Sequence, residues 1–406
     1  MSNATDITFS SNPPSTPPKT QRLILALVSV LLVFGTLALS RYGWRQSALF
    51  LIGGLFGVSL YHASFGFSSA YRKLFVYRDA RGVLAQLLML AIATVLFAPI
   101  LATGSVFGQA VIGKVAPVGV QNAIGAFLFG VGMQLANGCA CGTLYTIGGG
   151  STSMLLTLLT FCIGAFTASL TQHLWVGLPS LPPVSLGQLL GWHWAVLLQL
   201  TLFLVLALAL RQWTKGNGDN SLFKSLGKQE NATSTLDNLL YGPWSLTIGA
   251  SLLALLNVLT LLIAGRPWGV THGFTLWGAK MATILGWNPE TSSFWSSGSW
   301  QDALSRSVFA DVTSVMNMGI ILGASLAAAL AGKLVLKKPI SWIAIAATLV
   351  GGFFMGYGSL IAFGCNVGAY FSGIASTSLH GWLWIACALV GTGVGIRLRS
   401  LFQLPI

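Results

Sequence analysis

Two cysteines at matched positions are the residues of this 406-residue chain best placed for chemistry. Gly130-Val-Gly-Met-Gln-Leu-Ala-Asn-Gly-Cys-Ala-Cys-Gly142 and Gly356-Tyr-Gly-Ser-Leu-Ile-Ala-Phe-Gly-Cys-Asn-Val-Gly368 share the frame Gly-x-Gly-x5-Gly-Cys-x2-Gly. Ser-Thr-Ser follows each, at Ser151–Ser153 and Ser376–Ser378. A thiol is a weak donor and a soft, polarisable partner, suited to loose contact with a sulfur-bearing anion. As a thiolate it exchanges with sulfane sulfur. The candidate substrate-binding set is therefore Cys139 and Cys365, Cys141 beside the first, Gly138, Gly142, Gly364 and Gly368 around them, and Asn366. Packing is the competing explanation, because small residues let helices approach closely. It is the reading adopted for Cys162 and Cys387, which sit inside ordinary apolar runs. A metal site needs about four ligands. No histidine or further cysteine stands at ligand spacing, so neither a metal nor a cofactor is expected.

Charged groups in apolar surroundings form a second tier. His62 and His272 precede similar Phe-containing segments, and Lys280 with Asp311 and Arg72 with Asp79 are ionisable pairs at or near membrane depth. Such groups are functional candidates, and structural ion pairs or satisfied histidines are the alternative. His62, His272 and Lys280 join the candidate set.

The elements that must position these residues are transmembrane helices. The chain is 54% hydrophobic and 7% charged, against about 25% charged in soluble domains. Its uncharged runs are long enough for spans of about 20 residues. Eleven are expected: Leu23–Ser40, Ser47–Phe65, Val83–Leu101, Val118–Ala136, Thr152–Thr171, His193–Leu210, Trp244–Ala264, Trp268–Leu285, Val308–Leu330, Ser341–Phe363 and Leu379–Ile396. Some are expected to be broken or re-entrant. The glycine-rich run from Gly138 to Gly150 is too interrupted for a lipid-facing helix. Non-helical backbone at membrane depth survives only inside protein or along a cavity. Helix starts are expected near Ser151–Ser153 and Ser376–Ser378, where free N–H groups suit an anion.

The fold expected is all-α: a polytopic bundle of about 9–11 spans with two pseudo-repeats and re-entrant or broken helices at the Gly-Cys motifs. Residues 1–21 read as a disordered tail, 22–171 as the first repeat, 172–243 as a linker span with a polar loop, and 244–400 as the second repeat. The net charge of +13 lies in short clusters between apolar runs. That is the loop bias which orients membrane proteins, and not a nucleic-acid footprint. If Arg72/Lys73/Arg78/Arg81, Arg211/Lys215/Lys224/Lys228, Lys333/Lys337/Lys338 and Arg397/Arg399 share the cytoplasmic side, the repeats are inverted and Trp268–Leu285 is re-entrant. If that segment crosses, the repeats are parallel. The charge bias favours the inverted arrangement. Arg41 and Arg45 fit neither scheme well.

These motifs resemble those of the YeeE/YedE family of bacterial sulfur-transport membrane proteins. The resemblance rests on Gly138-Cys139-Ala-Cys-Gly142-Thr-Leu-Tyr-Thr-Ile-Gly-Gly-Gly and Gly364-Cys365-Asn-Val-Gly368, with support from Phe65–Asp79, Arg266–Lys280 and Asp311–Asn317. It spans roughly residues 50–400, and the longer YedE-type branch is the nearer. It implies an inner-membrane permease moving thiosulfate or a related sulfur or selenium compound past Cys139 and Cys365. It also implies the bilayer and a small cytoplasmic sulfur-carrier protein as partners. Thiosulfate-transporting members carry a third cysteine in an early Phe-Cys-Phe segment, where this chain has Phe65-Gly66-Phe67. A membrane sulfurtransferase or redox protein relaying persulfide between cysteines is the second hypothesis. No ATP-binding motif is present.

Overall fold

The computed structural model describes residues 20–214, 240–335 and 341–405, and apart from short two-residue ribbons in loops its regular structure is helical. The expected tail up to residue 19, and the charged stretch containing Lys215, Lys224 and Lys228, lie outside the described residues, as do Lys337 and Lys338.

Both halves of the chain repeat one order of elements. A peripheral helix comes first, α1 (Arg22–Leu39). A long, a short and a long helix follow: α2 (Trp44–His62), α3 (Phe67–Tyr77) and α4 (Arg81–Thr103). A second such trio is α5 (Val120–Leu135), α6 (Ala140–Gly148) and α7 (Thr152–Leu170). The second half begins with α8 (Trp192–Trp213). Its trios are α9 (Leu246–Ala264), α10 (Thr271–Ile284) and α11 (Val312–Leu330), then α12 (Trp342–Ile361), α13 (Asn366–Phe371, a wide π-type turn continued by Ser372–Ala375) and α14 (Leu379–Arg399).

Among the described residues ten segments are long and apolar enough to cross a bilayer. The expected span Trp268–Leu285 is not among them. Its helix, α10, has 14 residues, about 21 Å at 1.5 Å per residue, short of a hydrocarbon core about 30 Å thick.

Packing exchanges partners between the halves. α2 lies on α11 and α4 on α9; α5 lies on α14 and α7 on α12. The outer helices follow the same rule, α1 resting on α11 and α8 on α4. α8 thus holds in the second half the place that α1 holds in the first, each packed against a helix of the other half. Both present most of their apolar side chains outward, including Val30, Phe34, Leu197 and Leu204, as lipid-facing helices must.

Glycines set how closely these helices meet. A Cβ on Gly53 or Gly57 would overlap the α11 backbone at Met316 and Ile320, and one on Gly319 or Gly323 would overlap α2 at Phe50 and Gly54. Two small-x-x-x-small faces therefore lie directly on each other. Gly130 and Gly391 make the same kind of contact between α5 and α14.

Equivalent helices run in opposite directions. Gly125, early in α5, faces Gly358 and Ile361 late in α12, while Gly132 faces Gly351. Likewise the Trp244 N–H, just before α9, donates to the carbonyl of His62 at the end of α2 (2.9 Å). The repeats are inverted. One face gathers Arg72, Arg399 and the α5 terminus: Arg72 donates to Asn137 (2.7 Å) and Arg399 to the Gln134 carbonyl (2.5 Å). Arg78 lies over Trp213 at the end of α8 on this same face. Arg41 and Arg45 stand at the opposite face, where Gln46 bonds the Ala310 carbonyl (2.6 Å) beside Asp311.

Candidate functional site

One backbone device builds the cysteine sites. At the end of α5, Asn137 turns left-handed (φ 59°), and Phe363 does the same after α12 (φ 60°). The next N–H folds back five residues, from Gly138 to the Met133 carbonyl (3.2 Å) and from Gly364 to Ser359 (2.8 Å). This is the Schellman pattern that satisfies the last carbonyls of a helix. The residue after it is already extended and opens the next, short helix: Cys139 (φ −101°, ψ −175°) heads α6 and Cys365 (φ −113°, ψ −167°) heads α13. Each cysteine therefore sits at the tip where one helix ends and another begins. Gly364 requires its missing side chain, since its φ of 151° is open essentially to glycine.

The same device occurs a third time. Ser64 is left-handed (φ 46°), Phe65 N–H reaches back to Leu60 (3.1 Å), and the residue heading α3 is Gly66. Gly66 is thus the structural equivalent of Cys139 and Cys365. The fourth trio departs from the pattern, because α9 ends in Gly265 and a longer loop leads to α10.

The sulfur atoms are buried together. Cys139 is 2% exposed, and Cys141 and Cys365 are fully buried. Cys139 Sγ accepts the Gly142 N–H (3.4 Å) and lies 3.5 Å from Cys141 Sγ. Thr143 ties its hydroxyl to the Cys139 carbonyl (2.9 Å). The Phe67 amide, at the start of α3, also faces Cys139, and the Val367 and Gly368 amides face Cys365. The helix starts bearing on the sulfurs are therefore those of the short helices. α7 and α14 begin where expected, directly after Ser151 and Ser378. Gly142 is constrained by a Cβ that would meet Cys139 Sγ at 3.3 Å, whereas nothing crowds Gly368, and Met154 and the Thr143 amide stand only at ordinary contact distance from Gly138. The Gly364 carbonyl is held by the Trp384 indole N–H (3.1 Å).

Around the sulfurs stand Tyr71, Tyr370, Tyr145 and Asn366. Tyr71 lies against Asn366, Tyr370 and Cys139. Of these, the sequence singled out Asn366 alone as a site residue; the tyrosines lie on the short helices α3, α6 and α13 that follow the tips. The signal that pointed to them was Tyr71's place within Phe65–Asp79.

The charged candidates fall elsewhere. His62 is buried against Trp244 at the end of α2 (ring centroids 5.2 Å apart). Lys280 donates to the carbonyls of Leu304 and Arg306 (2.8 and 2.7 Å), tying down the loop before α11. Its expected partner Asp311 instead faces Arg266 and His272, each at 3.7 Å, and caps α11 through Ser314 N–H (2.7 Å). Asp79 pairs with Arg81 (2.7 Å) and not with Arg72 in the described contacts. His272 stacks on Trp300 (4.2 Å). Burial, with Arg266 and Lys114 nearby, pushes it down to about 4, against the opposing pull of Asp311. Lys114, which sequence reasoning passed over, lies within electrostatic reach of Arg266, His272 and Cys365. Burial and Arg266 hold its ammonium below the usual lysine range. Among the described residues no cluster of three or more His, Cys, Asp or Glu could hold a metal ion.

Comparison with known proteins gives a consistent answer. The family model described as sulphur transport matches residues 62–394. The thiosulfate transporter TsuA of Spirochaeta thermophila is 28% identical over 341 residues, covering 82% of this chain and 92% of its own. The probable transporter YedE of Escherichia coli K12 is 32% identical over 146 residues, 36% of this chain and 35% of the relative. YedE of Salmonella typhimurium is 31% identical over the same length.

Proposed function

The chain belongs to the sulphur transport family, and from that premise we propose that a thiosulfate-like anion crosses this protein past Cys139, Cys141 and Cys365. The protein is a multi-pass membrane permease for a sulfur compound. The observation that carries the finer reading is the burial of three thiols at converging short-helix starts, between two inverted repeats. Midplane sites at repeat interfaces, with half-helix N-termini aimed at anions, are how inverted-repeat transporters bind them. Thiols add soft, low-polarity contacts, which hold an ion loosely enough to release it. The relative TsuA is named a thiosulfate transporter, which supports the same substrate class here; a selenium analogue has the same shape and softness. Delivery to a small cytoplasmic sulfur carrier is a further part of the proposal.

A persulfide relay is the weaker alternative. An activated cysteine needs a base beside it, and no histidine hydrogen-bonds Cys139, Cys141 or Cys365 among the described residues. The test is uptake of labelled thiosulfate by proteoliposomes. Cys139→Ala and Cys365→Ala should each reduce it by at least ~10-fold. Undiminished uptake by the double variant would sink the cysteine pathway, and persulfide trapped on Cys139 during turnover would favour the relay.

A further inference from the structure

Within the shared Gly-Cys-x2-Gly core, Gly138–Gly142 and Gly364–Gly368, the two motifs differ at two positions. After Cys139 come Ala140 and Cys141; after Cys365 come Asn366 and Val367. One side of the site is thus doubled in sulfur. The other side gains an amide, which is 1% exposed. Neither the nitrogen nor the oxygen of that amide makes a hydrogen bond among the described residues. Tyr71 reaches the same place from α3. It too is 1% exposed and lies against Asn366, Tyr370 and Cys139; Asn366 and Tyr370 stand within reach of its hydroxyl, but among the described residues neither approaches with the distance and angle of a hydrogen bond.

Buried polar groups are almost always paired, because an unmet donor forfeits its hydration with nothing in return. Here the unmet groups belong to two elements and sit side by side, next to the thiols. Asn366 supplies two N–H donors and Tyr71 one O–H. These hard donors match sulfonate-type oxygens, and the soft side matches a bare sulfur atom. We propose that Asn366 and Tyr71 are oxyanion anchors, holding the oxygen end of a sulfur–oxygen anion while its bare sulfur faces Cys139 and Cys141. This rests on the permease reading above. It makes the site directional and selects anions with one soft and one hard end over sulfate, which has no soft end, and over hydrosulfide, which has no hard end.

The experiment compares thiosulfate uptake, and its inhibition by sulfite, which keeps the oxygens but lacks the bare sulfur. Wild-type protein is set against Asn366→Leu, Asn366→Asp, Tyr71→Phe and Cys141→Ser in proteoliposomes. The anchor variants should raise the KM for thiosulfate about tenfold, the loss of one buried hydrogen-bond donor, and weaken sulfite inhibition in parallel. Cys141→Ser should raise the thiosulfate KM and leave sulfite inhibition unchanged. Thermal stabilisation of each purified variant by thiosulfate gives a second readout. Tyr71→Phe, which keeps the ring packing, decides the matter where an Asn366 variant does not fold. Wild-type KM and sulfite inhibition in Tyr71→Phe and the Asn366 variants, with uptake lost in Cys139→Ala, overturn the anchors alone. A wild-type protein that neither transports nor binds thiosulfate overturns the permease reading and the anchors with it.

Discussion

At the scale of single residues, what decides the site is which side chain stands at the tip of each helix-to-helix turn. Two of the three matching tips carry cysteine, and the third carries Gly66. A Cβ there would come within 2.5 Å of Ser69 Oγ and 3.6 Å of Tyr145 Oη. The obstacle is a hydroxyl that now bonds the Gly66 carbonyl (3.1 Å) and can rotate away. Gly66→Cys is therefore expected to fold with a loss of about 1 kcal/mol, the worth of one ordinary hydrogen bond. A branched side chain should cost more, so the melting temperature of Gly66→Val should lie below that of Gly66→Cys. A second residue-scale expectation concerns pH. His272 is held down at about 4 by burial and its cationic neighbours. It is neutral at and above neutrality, and its charge is gained only as the pH falls through that value. Uptake by His272→Gln should show the wild-type pH profile from about pH 6 upward. A step near the usual histidine range that disappears in His272→Gln would contradict this.

At the scale of elements, close approach and turn chemistry do the positioning. Gly53, Gly57, Gly319 and Gly323 let α2 and α11 touch backbone to backbone. Gly323→Leu has no space to occupy and must push the helices apart, separating α11 from both α2 and α6. Overpacking of this kind costs ~1–3 kcal/mol. The expected result is a lower melting temperature and reduced uptake, with Gly393→Leu, where nothing lies within 4 Å, as the tolerated control. The long helices and the breaks at Gly-Cys were legible from hydropathy and glycine content. The turn itself was not, because two of its left-handed residues are Ser64 and Phe363, which advertise no such conformation; only Asn137 is a familiar choice. Nor was the Asp311 pairing legible, since Lys280 is as suitable a partner by charge as Arg266, and the fold, not the spacing, chooses between them.

At the scale of the whole molecule, the inverted repeat was legible in one trio of each half and obscure in the other. Gly130–Gly142 and Gly356–Gly368 align because both build cysteine tips. The first trios carry Gly66 in one half and a loop through Arg266 in the other, so only His62 and His272 hinted at their kinship. Packing shows that this hint was positional: the two histidines end in different surroundings. α8 was expected as a span, but its kinship with α1 was obscure for the opposite reason, since a lipid-facing helix needs only apolarity and carries no pattern to compare. The inversion has a consequence that charge makes testable. Arg72, Arg78, Arg81 and Arg399 gather at the face where α2 and α5 end, and basic loops stay in the cytoplasm. The loop after α4, with Phe107 at its 90% exposed tip, then faces outward, and Tyr77 faces inward. The five native cysteines are buried or half-buried, so background labelling is low. A membrane-impermeant maleimide applied to intact cells should modify Phe107→Cys and spare Tyr77→Cys, and cell lysis should open Tyr77→Cys to the reagent. Labelling of Tyr77→Cys but not Phe107→Cys in intact cells would turn the molecule over, and with it the direction in which the soft and hard ends of the site meet an incoming anion.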